Sequence, residues 1–292
     1  MSAPAERRIW LCADDYGLSP GVNRAIRELI AQRRLNATSV MVVGPAIGRD
    51  EVEALRQVTA DGACAIGLHT TLTAPFNPLT LHFSPLRGGA FLPLGAMLRA
   101  SLLRRLDPDI VAGEITAQLA AFAELFGRPP DYVDGHQHVQ IFPQVRDAFV
   151  RAVKAAAPRA WVRQCGRALP LAERLANPKA LLLDTLSARF RSLCARTGLG
   201  CNPGFAGAYD FSHPVDFGTV MPSFLQGLPD GGLVMCHPGH VDEVLVSLDP
   251  LTDQREREYA FLASDAFPQL LQANVITLQA PAASATLSHT KN

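Results

Sequence analysis

Two adjacent carboxylates, Asp14 and Asp15, and four histidines, His69, His136, His138 and His237, are the residues whose types and positions could do chemistry in this 292-residue chain. Neighbouring Asp side chains repel, and burying both in ionised form needs a compensating cation or a shared proton. A metal ion is the simplest compensation; a solvated Asp-Asp turn is the plain alternative. Asp15 with His69 and His136 would give one carboxylate and two imidazoles, a facial set suited to a catalytic divalent ion with open positions. Taken singly, His69 in GLHTTLT and His237 in MCHPG read equally well as hydrogen-bonded core residues. His136 and His138 would face the same side only if their strand continued. Where the chain turns, only one need reach an ion, which leaves His138 as a supporting residue behind the ligands. His82, His213, His240 and His289 read as structural or surface residues. A serine hydrolase is disfavoured because no G-x-S-x-G elbow is present. Cys236 beside His237 is a weak thiol alternative.

The elements that must position these residues alternate along the chain. Ile9–Ala13 is an apolar strand that breaks at the Asp pair and turns through Tyr16-Gly17-Leu18. Ser19 then reads as a helix N-cap, Pro20 as the first helical residue, and Val22, Ile26, Leu29 and Ile30 as its buried stripe. Further strands are predicted at Thr38–Val43, Cys64–Leu68, Tyr132–Asp134, Ala160–Arg163, Leu233–Cys236 and Val275–Leu278. Helices are predicted at Glu51–Val58, Ile110–Phe126, Val145–Ala157, Phe217–Leu228 and Arg255–Leu271. Leu171–Arg196 is helical in pieces, and Gly198–Asp210 is a Gly-rich loop. Asp14/Asp15, His69, His136/His138 and His237 each fall at the C-terminal end of a separate strand. In a barrel those ends converge on one face. Seven or eight such units without a G-x-G-x-x-G favour a distorted or incomplete (βα) TIM-like barrel over a doubly wound sheet. A single domain over 1–278 is expected, followed by a disordered tail at 279–292.

Ala74–Pro108 is long, without clear period, and carries Phe76, Phe83 and Phe91. It reads as a lid or wall over the cleft, as a loop tucked onto the barrel, or as a dimer contact. Arg163 could anchor a polar or anionic group opposite it, and Tyr16 is a second candidate substrate contact. A formal net charge of zero gives no reason to expect nucleic acid. Six scattered Cys without a C-x-x-C pair suggest buried thiols in a reducing compartment. No signal-peptide h-region or membrane-spanning apolar run is apparent, so a cytoplasmic protein is the expectation.

The blocks ADDYGLSPGVN, TSVMVVGPA, GLHTTLT, DGHQHVQIFP and MCHPG, in that order, resemble the YdjC-like carbohydrate deacetylase family from about Ile9 to Leu271. That family includes chitooligosaccharide and hopanoid-associated deacetylases. The resemblance implies a distorted (βα) barrel that removes the acetyl group from N-acetylated sugars with one divalent ion, Mg²⁺ or Zn²⁺. It implies Asp15, His69 and His136 as ligands, Asp14 as general base and His237 as general acid. The common DGHQHVH form is DGHQHVQ here, with Gln140 at the last position. A non-catalytic carbohydrate-binding barrel and a glycosidase are the competing classes; the latter needs two carboxylates flanking the scissile bond.

Overall fold

The computed structural model describes residues 5–166, 178–211 and 213–279. Its first strand, β1 (Arg7–Tyr16), is buried over its last eight residues. Continuous burial of that kind marks a parallel strand covered on both faces. Helix α1 (Pro20–Ala31) follows, with the Ser19 hydroxyl accepting the Val22 N–H and Pro20 in its first turn. Then come β2 (Ala37–Val40), α2 (Arg49–Val58) and β3 (Ala65–Thr70). A short hairpin, β4 (Leu86–Arg87) and β5 (Ala90–Phe91), leads into α3 (Leu94–Leu102) and α4 (Pro108–Phe126). The chain continues through β6 (Tyr132–Gly135), a tight turn over His136–Ile141, α5 (Val145–Ala156) and β7 (Trp161–Val162). Next are α6 (Pro178–Thr197), β8 (Phe205–Ala206), α7 (Phe217–Leu225) and β9 (Leu233–Cys236). Last come α8 (Glu243–Leu248), α9 (Asp253–Ala263), α10 (Ala266–Ala273) and β10 (Ile276–Leu278).

The sheet is parallel, in the order β7-β6-β3-β2-β1-β9-β8, with β10 against the start of β1. It curls into a distorted barrel that a thin seam completes. A single parallel bridge joins Val162 to Cys201. Beside it the Asn202 side chain accepts the Gln164 N–H and donates to the Gln164 carbonyl, replacing two ladder bonds. The inside is filled by side chains, as in a TIM barrel. Gly67 makes room for this: a Cβ there would meet the Tyr132 ring at 2.5 Å.

Four expectations change, the first being that the expected Gly198–Asp210 loop contains β8, paired with β9. Ala74–Pro108 contains a hairpin and a helix, and Phe76, Phe83 and Phe91 are all buried. They join the main hydrophobic core, Phe83 meeting Phe91 edge-on at 4.8 Å. Leu86 pairs antiparallel with Phe91 across a turn of Gly88 and Gly89, so a two-residue strand was too short to show a period. The predicted Arg255–Leu271 helix is two helices, broken at Ser264-Asp265. Pro268 would sit in the interior of one long helix, where it costs a hydrogen bond, but it fits the first turn of α10. Glu243–Leu248 is an additional helix, at six residues too short to show a helical period in the sequence. Of the predicted Leu171–Arg196 helix, residues 171–177 lie outside the described residues, as does the tail beyond 279.

Candidate active site

β1 pairs regularly with β2 at Cys12 and Ala13, and the register then shifts before Tyr16. Asp15 sits in that irregularity with φ at +69°. Successive side chains in a regular strand point to opposite faces, but a bulge re-aims one of them. Both carboxylates are consequently turned toward the same histidine: His69 Nε2 lies 3.3 Å from Asp15 Oδ1 and 4.0 Å from Asp14 Oδ2. Tyr16 departs from its expected role. Its hydroxyl donates to the Glu51 carbonyl at 3.0 Å and meets Arg27, so it ties β1 to α1 and α2 rather than facing the cleft.

His69 is inside β3, paired in register with Asp134 of β6. Its Nδ1 is 2.6 Å from Asp134 Oδ1, which leaves Nε2 directed at the Asp pair. A ligand histidine held this way by a carboxylate has its ring orientation and tautomer set from behind. After Gly135 the chain turns sharply, with Gln137 and His138 both at positive φ. The turn separates the two histidines. His136 Nδ1 comes to 3.0 Å from Asp15 Oδ1. His138 instead places Nδ1 3.4 Å from Cys165 Sγ and its ring edge-on to Phe205. Burial and the nearby Arg163 push His138 down to about 3, so it is neutral.

Three buried carboxylates, Asp14, Asp15 and Asp134, meet two buried guanidiniums. Arg163, expected as a substrate contact, is wholly enclosed. It grips both oxygens of Asp14, at 2.6 and 2.5 Å, pairs with Asp134, and also reaches Ser39 and Cys12. Arg255 from α9 bonds Asp15 Oδ2 and Asp249 Oδ2, both at 2.6 Å. Burial pushes the Asp14 carboxyl up, but Arg163, His69 and His237 together outweigh it and hold Asp14 well below the usual carboxylate range. Arg255 and His136 do the same for Asp15. His69 is pushed down by burial, yet the Asp134 and Asp14 carboxylates lift it to about 10.

Asp15, His69 and His136 each offer a donor atom, all within 4.8 Å of one another. The set suits a divalent ion: one carboxylate, two imidazoles, and a backing carboxylate on His69. Cys12, Asp14 and Asp134 also cluster, but the Arg163 guanidinium already bonds all three. Along the edge, His237 at the end of β9 places Nε2 3.9 Å from Asp14 Oδ2. Its Nδ1 is buried with no hydrogen-bond partner among the described residues. Burial lowers its basicity, partly offset by Asp15 and Asp14. Its backbone N–H donates to Glu258 Oε2 at 2.5 Å. Phe76, from the segment after β3, stands edge-on to His136 at 5.9 Å.

Asp134, Arg255 and Glu258 were not singled out from sequence. Asp134 had a signal, as the acid that opens the DGH block one strand from His69. Arg255 and Glu258 had none, being ordinary charged residues of a late helix. Gln140 Nε2 donates to the Arg163 carbonyl at 3.1 Å, so this position supports the neighbouring strand.

A curled parallel sheet with histidines and arginine-braced carboxylates converging near the C-terminal ends of its strands defines a distorted-barrel protein with a buried candidate metal centre. The profile of the YdjC-like proteins matches residues 8–273, and the chain belongs to that family. A solved structure from Enterococcus faecalis V583, provisionally described as a cellobiose-phosphate cleavage protein, shares the fold. It has a TM-score of 0.72 and 18% identity, over 94% of this chain and 97% of that one. More distant similarity extends to a family 4 carbohydrate esterase from Streptomyces lividans, with a TM-score of 0.44 and 11% identity over 96% and 95% of the two chains. The chitin deacetylase of Colletotrichum lindemuthianum has a TM-score of 0.44 and 12% identity over 96% and 93%.

Proposed function

We propose that this protein is a metal-dependent hydrolase that removes the acetyl group from an N-acetylated amino sugar. The observation that carries the reading is the convergence of Asp15, His69 and His136 donor atoms within 4.8 Å, with Asp14 and His237 alongside. Membership of the YdjC-like family supports it. Asp15, His69 and His136 would hold one divalent ion, and two imidazoles in the set suit Zn²⁺ more than Mg²⁺. When bound, such an ion activates water as a nucleophile near neutral pH and polarises the amide carbonyl.

The chain's own residues manage the protons. Arg163 keeps Asp14 ionised, so Asp14 is ready to accept the proton of the attacking water. His237 starts neutral because burial lowers its basicity. Its Nε2 lies 3.9 Å from Asp14 Oδ2, a gap that one water or the reacting groups bridge, so the proton passes by that route to His237 and on to the departing nitrogen. Water adds to the carbonyl carbon, the C–N bond breaks, and acetate and the free amine leave. Asp134 and Arg255 touch none of the reacting atoms; they hold His69 and Asp15.

Acetate release from a panel of N-acetylglucosamine compounds, with and without a chelator, tests this reading. Free acetate that disappears with the chelator supports it. A new reducing end without acetate would instead indicate a glycosidase, and binding without any product a carbohydrate-binding barrel.

A further inference from the structure

We propose that Phe211 is the platform on which the sugar ring carrying the scissile amide rests, against His237. The proposal rests on the deacetylase reading above and adds which way the substrate lies. Phe211 is 37% exposed, and its ring meets His237 edge-to-face at 5.5 Å. A single exposed phenylalanine means little by itself. This one is held in a frame. Its ring packs on Tyr209 at 4.2 Å, and Tyr209 is backed by Phe217 and Phe224. The Tyr209 hydroxyl donates to Glu258 Oε1 at 2.5 Å, and Glu258 Oε2 accepts the His237 N–H at 2.5 Å. One buried carboxylate therefore holds both the tyrosine on which Phe211 packs and the backbone of His237. Just before Tyr209, Gly207 packs its backbone against β9: its φ is +102°, and a Cβ would meet the Met235 carbonyl oxygen at 2.1 Å.

The orientation follows from where protons must go. The groups connect by contact: Phe76 with His136, His136 and His69 with Asp15, His69 and His237 with Asp14, and Phe211 with His237. The leaving nitrogen must reach His237, so the ring that carries it lies at that end. The acyl group then extends from that nitrogen toward Asp15, His69 and His136, the residues that would hold the ion. A pyranose presents an apolar face of C–H bonds, and an exposed aromatic ring is the surface that such a face stacks on. The ligand class is a hexosamine ring whose apolar face is free.

The test uses full-length, metal-loaded protein with N,N′-diacetylchitobiose, comparing wild type, Phe211→Ala and Phe211→Trp. Steady-state acetate release and saturation-transfer NMR of the disaccharide are both measured. Phe211→Ala should raise KM about tenfold with kcat within about twofold, and Phe211→Trp should restore KM. Unchanged KM in Phe211→Ala, with wild type releasing acetate, overturns the platform and leaves the deacetylase reading standing. Equal loss of kcat in both variants also overturns it, because that pattern marks a merely structural residue. If wild type releases no acetate from any N-acetylhexosamine, the deacetylase reading fails. Disaccharide saturation transfer lost only in Phe211→Ala would then still support the platform, and transfer retained there would overturn it.

Discussion

Asp14 and Asp15 are neighbours in sequence, equally buried, and each is braced by an arginine, yet the two halves of the site they anchor differ. Arg163 occupies both oxygens of Asp14. Arg255 occupies one oxygen of Asp15 and leaves Oδ1 facing His69 and His136. The first arrangement keeps a carboxylate charged and 3.9 Å from His237, the proposed second proton carrier. The second leaves a donor atom free among two imidazoles. In the proposed mechanism, the same side chain is given a proton-handling or an ion-holding environment according to how many of its oxygens the arginine takes.

The largest effect should come from breaking the ion-holding half. Alanine at His69 or His136 should abolish stoichiometric metal binding and acetate release together, measured by elemental analysis and an acetate assay. Full metal content and rate in purified His136→Ala would falsify the assignment. In the other half, Asp14→Asn keeps the shape but removes the proton acceptor. Metal should stay bound while kcat falls by about 10²–10⁴-fold. Loss of metal in that variant would make the two halves equivalent and collapse the distinction.

Removing Arg163 probes the bracing itself. Arg163→Met leaves Asp14 and Asp134 buried without their guanidinium. Chemical denaturation should show about 3–5 kcal/mol of lost stability, the cost of an uncompensated buried charge.

The pH dependence of ion binding sharpens the comparison further. In the ion-free protein His69 sits at about 10, above its ordinary 6.5. Its proton therefore stabilises the ion-free fold fully below about pH 6.5, and that stabilisation is lost as pH rises through about 10. An ion must displace this proton, so affinity should rise up to about tenfold per pH unit between 7 and 9. Competition titrations at several pH values check this, and a flat profile would mean that His69 is not displaced. The smallest effect is expected outside both halves. Tyr16→Phe removes a hydroxyl that ties β1 to Glu51 and Arg27, at about 1 kcal/mol of stability with an unchanged rate. A marked rise in KM would return Tyr16 to the substrate site.

Much of this arrangement was legible in the chain. Ser19-Pro20 announced α1, the apolar run Leu233–Cys236 announced β9, and the fall of Asp14/Asp15, His69, His136 and His237 near strand ends announced a shared cleft. Local chemistry decides such features, because capping, alternation and strand termination depend on residues within a few positions. The division of labour between the two acids was not legible in this way. It depends on a register shift in β1, and on guanidiniums 149 residues from Asp14 and 240 residues from Asp15. Arg163 looked available for substrate, although its charge is consumed inside the barrel; Arg255 and Glu258 carried no local signal at all. The sequence by itself determined which side chains could ligate or carry protons and on which face they gather. Only the tertiary structure decided which charges neutralise one another, because a buried carboxylate is stable only beside a partner that packing delivers from elsewhere in the chain.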